Sequence, residues 1–396
     1  MFEIKNKIYS VGCLNPNMRI FDIVMKTEFG TSYNSYIVKG NNKIVLIDGC
    51  HETFAPQFVE NIEEVTPISK IDYLVVNHCE PDHTGALRIL LKKIPNVKIL
   101  TTPSGNIFLK KIINLPLNIQ VVTNNETIDL GGKTLQFLFA PFLHWPDSMF
   151  TYVKEDKVVF TCDFLGSHYC EPNMIDTKIT YPNKYDSSLK LYYDVIFSPF
   201  KLYVNNGLSI LEKLNLTHVC TSHGPILTTA GKYPEVFNLY REWSKIETPT
   251  NSIPVFYVSS YGYTRQIAEK ISETIKRTMP DIHTAVYDAN AIDVGTLSVI
   301  MNNSKAFCIG CPTLNKNALP PIINLLNNID MINNKDQNVL IFGSYGWSGE
   351  AQEILSSLAK SLQLKPFEKG IHIRFAPDAE DLKTIENTTI NFLKTI

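Results

Sequence analysis

After Pro254 the chain alternates apolar strands with helices. PVFYVSS is followed by a helix over RQIAEKISETIKRTM, then by HTAVYDAN, KAFCIGCPT, a helix over 320–328, NVLIFGSYG and a helix over AQEILSSLAKSL. A strand followed by a crossover helix re-enters the sheet in the same direction, so this order predicts a doubly wound parallel sheet with helices on both faces. The first 250 residues follow no such order. A hairpin is expected in NSYIVKGNNKIVLIDGC (34–50) around Gly40-Asn41-Asn42, a buried strand in IDYLVVNH (71–78) and a helix in ALRILLKKI (86–94). TLQFLFAPFLHW, SMFTYVKEDKVVFTCDF and LTHVCTSHGP supply more strands, and VFNLYREWSKIE closes this half as a helix. TPTNSIP (248–254), with two prolines and no periodicity, reads as a linker. Two domains are expected, 1–250 and 251–396, since 396 residues exceed one ordinary core.

Composition narrows the function classes. Hydrophobic residues make up 44% and charged residues 19%, as in globular chains. A formal net charge of −2 offers no basic footprint for nucleic acid. No apolar run approaches bilayer length, and MFEIKNKIYSVG lacks a secretory signal's basic start and apolar core. A cytoplasmic protein with no nucleic-acid or membrane partner is expected. Its eight cysteines are then free thiols. Cys308 and Cys311 form the only Cys-x-x-Cys, without the second pair that a metal knuckle requires.

The stretch NHCEPDHTG (77–85) follows a strand and is dense in metal-ligand residue types. If 78–82 is extended, alternation puts His78, Glu80 and Asp82 on one side and Cys79 and Pro81 on the other. Pro81 also biases Glu80 toward extended geometry. His83 follows as the chain enters a helix near Gly85. His144, Asp163 and His223 each stand where an apolar strand gives way to a loop, so stacked sheets would bring them to the same edge. His51, His168, His218, His283 and His372 read as turn or cap residues, although His168 lies near Asp163 in sequence. Zinc suits imidazole and thiolate, whereas iron cycling between two charge states gains from anionic oxygen donors. Three carboxylates against two ferrous ions leave a formal +1 that a hydroxide could cancel. This favours iron over zinc, with zinc and manganese not excluded by spacing.

A second constellation lies in the wound sheet. Ser259, Ser260, Tyr261, Gly262, Tyr263 and Thr264 join a strand to a helix N-terminus, where backbone N–H groups and the helix dipole suit a phosphate. Gly310, Cys311, Pro312, Thr313, Leu314 and Asn315 follow a later strand, as do Ser344, Tyr345, Gly346, Trp347, Ser348 and Gly349. Ligands of such sheets bind beyond the carboxyl ends of the strands. Tyr345 and Trp347 could flank an aromatic ring.

The first half resembles the metallo-β-lactamase fold, with His-x-Glu-x-Asp-His in place of that fold's His-x-His-x-Asp-His. Together with HWPDSMF (144–150), TCDFLGSH (161–168) and TSHGP (221–225), this variant resembles the flavodiiron proteins. The resemblance implies an αβ/βα di-iron domain followed by a flavodoxin-like domain. It implies two irons: one on His78, Glu80 and His144, the other on Asp82, His83 and His223, with Asp163 as bridge. It also implies FMN, its phosphate on residues 259–264 and its ring on the other two loops. The implied activity is reduction of dioxygen to water, nitric oxide to nitrous oxide, or both. Electrons would come from an external reductase or small redox protein, and the working unit would be a head-to-tail homodimer, or a tetramer. Phe164 departs from the family, where a small residue is expected after the aspartate. The rival readings are a dizinc hydrolase fused to a flavodoxin and an electron-transfer flavoprotein with an inert first domain. Glu80 and the flavin loops oppose the first, and the complete ligand set opposes the second.

Overall fold

The computed structural model describes residues 1–23, 25–246 and 249–396. Thr248, at the start of the expected linker, lies outside them. The chain divides into two compact units, Met1–Ile246 and Glu247–Ile396.

The first unit stacks two sheets. One runs in the order Phe2–Lys5, Ile8–Ser10, Tyr36–Lys39, Ile44–Ile47, Tyr73–Val75, Lys98–Thr101, Ile119–Val121. The other runs Thr127–Asp129, Thr134–Phe139, Met149–Val153, Val158–Cys162, His218–Thr221, Leu227–Thr228. Their facing sides bury one apolar layer that includes Val38, Val45, Val75, Phe137, Phe160 and Cys220. The opposite sides, with Leu46, Leu74, Ile99 and Val219, pack on helices such as Ala55–Val65 and Tyr233–Trp243. Strands buried on both faces read as continuous apolar runs, which is why VVFTC and YLV carry no alternation. The 36–47 hairpin forms as expected, with Tyr36 opposite Ile47 and Lys39 opposite Ile44.

In the second unit the strand order is Val286–Asp288, Val255–Tyr257, Ala306–Gly310, Asn338–Tyr345, with Lys365–Pro366 and Ile371–Arg374 both beside the last. All these pairings are parallel. Numbered along the chain, with the two segments beside Asn338–Tyr345 counted as one strand, this is 2-1-3-4-5, the flavodoxin-type order, whose reversal opens a crevice beyond the first and third strands. The helix Val294–Asn302 was not expected from the sequence, being short and rich in β-branched residues and glycine. The strand Ile371–Arg374 alternates apolar and polar but over only four residues, and was also missed.

Candidate metal centre and flavin cleft

The seven candidate ligands converge at one end of the stacked sheets. His78 lies three residues beyond Val75, Asp163 directly after Cys162, and His223 two residues after Thr221. Glu80 is extended at φ −54°, ψ 142°, as the following proline favours. The extended run stops there. Pro81 starts a helical turn, Pro81–Thr84, so Asp82 reaches the cluster from a helix and not by strand alternation. Proline at a first helical position fits because its missing N–H would find no partner there. Cys79 points away, its thiol on the Gly105 carbonyl at 3.6 Å.

Asp163 stands at the centre, with its two oxygens facing different histidines. Oδ2 lies 3.6 Å from both His78 Nε2 and His144 Nε2. Oδ1 lies 3.0 Å from His83 Nε2 and 3.4 Å from His223 Nε2. Glu80 Oε2 sits 3.1 Å from His78 Nε2 and 3.0 Å from His144 Nε2, while Asp82 Oδ2 sits 3.0 Å from His223 Nε2. The ligand atoms of His78, Glu80, His83 and Asp163 lie within 4.8 Å of one another, as do those of Asp82, His83 and His223.

The donor chemistry fits cations. Both oxygens of Asp82 and of Asp163, and both ring nitrogens of His83, are buried without a hydrogen bond of proper geometry. Groups so buried are destabilising unless something charged satisfies them. In the metal-free cluster protons take that role. Burial opposes charging of His78, yet Asp147 and Glu80 outweigh it and raise its pKa well above the usual value. His83 is raised to about 10, against burial, by Asp82 and Asp163. Burial opposes ionisation of Glu80 too, but His144 and His78 hold it well below the usual carboxylate range.

Outer partners orient these rings. Asp147 Oδ1 lies 3.4 Å from His78 Nδ1, and its Oδ2 accepts the Cys79 N–H at 2.7 Å. The Ser32 carbonyl lies 2.6 Å from His223 Nδ1. Such contacts set which nitrogen keeps its lone pair. Ser32 and its neighbour Thr31 went unnoticed in the sequence, since nothing there marks them as neighbours of His223. His51 does cap a short helix, accepting from Thr53 N–H at 3.2 Å. His168, by contrast, is a core residue at 3% exposure. Burial, then the neighbouring His223, push its pKa well below the usual value.

A cavity opens over the cluster. Glu80, His144, Asp163 and His223 form its floor, and Phe21, Met25, Tyr192, Val195, Ile196 and Phe200 its mostly apolar wall, with Asp22 beside them. Val195 and Ile196 belong to a π-helical turn, Tyr193–Phe197, a distortion often found at functional sites.

In the second unit, a cleft lies beyond the strand ends. Ser259, Ser260, Tyr261, Tyr263, Pro312, Thr313, Leu314, Ser344, Tyr345, Gly346 and Trp347 line it, joined by Phe375, which the sequence reading missed. Trp347 and Tyr261 are 87% and 83% exposed, so each leaves an aromatic face uncovered. Thr264 is buried below, its hydroxyl 2.8 Å from that of Ser344. Gly262 adopts φ +86° at the helix start. A Cβ at Gly310 would lie 2.3 Å from the Phe342 carbonyl oxygen, so only glycine packs there. Cys311 turns inward, its sulfur 3.5 Å from Leu319 N.

Residues 31–224 match the model of the ODP family beta lactamases, and residues 255–388 that of the flavodoxins. The flavo-diiron protein FprA2 of Clostridium acetobutylicum is 49% identical over 397 aligned positions, covering 100% of this chain and 99% of that one. The chain is a flavodiiron protein. The anaerobic nitric oxide reductase flavorubredoxin of Escherichia coli is 32% identical, covering 96% of this chain and 79% of that one. Among solved structures, rubredoxin oxygen:oxidoreductase of Desulfovibrio gigas aligns with TM-score 0.66 at 25% identity, over 100% of this chain and 98% of that one. The flavodiiron protein of Giardia intestinalis aligns with TM-score 0.64 at 26% identity, over 99% of this chain and 95% of that one.

The family's cofactors, a di-iron centre and FMN, find matching donor sets in this flavodiiron protein: the orphaned carboxylate and imidazole atoms in one unit and the open aromatic cleft in the other. Phe164, where the sequence reading expects a small residue, is fully buried. It stacks on Phe150 at 5.7 Å and meets Phe197 and Tyr240 edge-on at 5.6 and 5.5 Å.

Proposed function

We propose that this flavodiiron protein reduces dioxygen to water, nitric oxide to nitrous oxide, or both, in the cavity over Asp163. One observation carries the reading: the two Asp163 oxygens separate the four histidines into two pairs, and Glu80 and Asp82 each add a carboxylate to one pair. In this reading His78, Glu80 and His144 hold one iron, Asp82, His83 and His223 the other, and Asp163 bridges. Two ferrous ions, when bound, supply two electrons at once, and the flavin renews them. The protein's part is placement and electrostatics. The three carboxylates favour a doubly charged pair of cations and support the higher charge after oxidation. The apolar wall of Phe21, Met25, Val195 and Ile196 suits small, weakly polar diatomic gases and limits water over the floor.

FMN belongs in the cleft beyond 255–257 and 306–310, its phosphate on residues 259–264 and its ring against the 310–315 and 344–349 loops. The domain junction lies near residue 250. Electrons reach the flavin from a separate reductase or small redox protein, a reading supported by the name of the D. gigas relative. Among the described residues no helix is long and apolar enough to cross a membrane, and a cytoplasmic location is proposed. The working unit is a head-to-tail homodimer, or a tetramer built from it, a two-fold dimer being the commonest oligomer. The deciding experiment is metal and flavin analysis of protein expressed with iron, followed by product analysis. Two irons and one FMN per chain, with water or nitrous oxide as product, are expected. Full zinc occupancy with hydrolytic turnover would overturn the reading.

A further inference from the structure

Behind His223, on the side away from the cavity floor, lies a small polar group whose hydrogen bonds are linked. Thr31 Oγ1 is 2.8 Å from His168 Nδ1 and 3.4 Å from His223 Nδ1. The Ser32 carbonyl is 2.6 Å from the same His223 nitrogen. A carbonyl only accepts, so His223 Nδ1 carries the hydrogen and Nε2 keeps its lone pair. That Nε2 is the atom 3.0 Å from Asp82 Oδ2 and 3.4 Å from Asp163 Oδ1.

Thr31 can support this arrangement or work against it. Its hydroxyl has one hydrogen and two lone pairs. Aimed at His168, the hydrogen leaves a lone pair facing His223 Nδ1–H. Aimed at His223, it would meet another hydrogen, or favour the tautomer whose Nε2–H faces the cluster and cannot bind a cation. The hydroxyl's other acceptor, the Ser32 carbonyl at 3.3 Å, already serves His223. His168 Nδ1, at 2.8 Å, is the nearer acceptor and settles the hydroxyl when the ring carries its own hydrogen on Nε2, an atom buried without a hydrogen-bond partner among the described residues. The His168 ring is held for the task. It packs on Phe21 at 4.4 Å and edge-on to Tyr192 and His223, both at 4.9 Å. No carboxylate is paired with it among the described residues.

We propose that His168 is a positioning residue: by accepting the Thr31 hydroxyl it fixes the tautomer and ring orientation of His223, and so tunes one of the two iron positions. This goes beyond the ligand set and rests on the di-iron reading above. It gives His168 a hydrogen-bonding task in place of the turn or cap role expected of it from the sequence.

The test uses full-length protein loaded with iron-57. His168→Asn keeps an acceptor where Nδ1 stands, His168→Phe keeps a ring and loses the acceptor, and Thr31→Val keeps shape and loses the hydroxyl. Iron affinity is read by chelator competition and the two iron environments by Mössbauer spectroscopy of the reduced protein, with circular dichroism as the check on folding. The Phe and Val variants should hold one iron about tenfold more weakly and shift one of the two quadrupole doublets, as loss of an outer-shell partner does. The Asn variant should match the parent in both. A Phe variant with parental affinity and spectrum would overturn the proposal, as would an Asn variant as impaired as Phe, since ring packing alone would then be at work. Thr31→Val decides the matter if the His168 variants fail to fold. A parent protein without iron would strike instead at the di-iron reading.

Discussion

Asp163 Oδ1 lies 3.0 Å from His83 Nε2, and both groups are buried. His83 stands in a helical turn packed beside one sheet, and Asp163 follows a strand of the other. A pair of this kind, with neither group in a regular hydrogen bond, is a place for a cation between them.

Asp163→Asn keeps the shape and removes the charge shared by both iron positions. Iron per chain should fall, with affinity reduced at least about tenfold, a loss that even outer-shell changes produce. Flavin absorbance should remain near the parent's. Colorimetric iron analysis beside the visible spectrum checks this, and parental iron content would refute the bridging role.

Glu80→Ala should lower dioxygen turnover by at least about a hundredfold, the upper range for outer-shell partners. An artificial donor should still reduce its FMN. Oxygen-electrode traces with peroxide assay separate the cases. Consumption at the parental rate would assign the oxidase activity to the flavin alone.

Iron loading should depend on pH in a definite direction. Without metal, His83 has its pKa raised from 6.5 to about 10, so it is protonated near neutrality. A ferrous ion needs the lone pair, so binding releases protons, and apparent affinity rises with pH up to about 10. The metal-free fold behaves oppositely. The pairing of charged His83 with Asp82 and Asp163 contributes stability fully below about 6.5 and loses it as pH rises through about 10. Calorimetric titration in two buffers of different ionisation enthalpy measures the proton count. Zero release at pH 7 would contradict the assignment.

Phe164→Ala removes a fully buried ring from a cluster with Phe150, Phe197 and Tyr240. Stability should drop by about 3–5 kcal/mol. Denaturant unfolding of the holoprotein, followed by aromatic circular dichroism, reads it directly. A change below about 1 kcal/mol would mean that the surrounding rings collapse into the space.

Electron transfer between chains is tested by complementation. One chain is made metal-dead by His78→Ala with His144→Ala, the other flavin-dead by Ser259→Ala with Thr264→Ala. Each homodimer should be inactive, and the mixed dimer should recover activity by pairing one intact iron site with one intact FMN. Inactivity in verified mixed dimers would contradict the head-to-tail arrangement.

Much of this protein is legible in one dimension because its ligand types are dense at strand ends. The strand Tyr73–Val75 leads into His78 and Glu80, and the proline after Glu80 governs local backbone by sterics alone. The strand–helix alternation after Pro254 likewise implies a parallel sheet, since crossovers permit little else. Other features depend on contacts between distant segments. Asp82 enters from a helical turn because Pro81 favours a helix start as readily as it extends the residue before it. Phe375 joins the cleft only because the strand before it, Ile371–Arg374, pairs with 338–345. Thr31 and His168 meet across 137 positions, and neither residue type, alone in a sequence, announces a partner. Local sterics and periodicity are written along the chain. The choice of which buried nitrogen keeps its lone pair is made by hydrogen bonds that exist only once the two sheets have stacked.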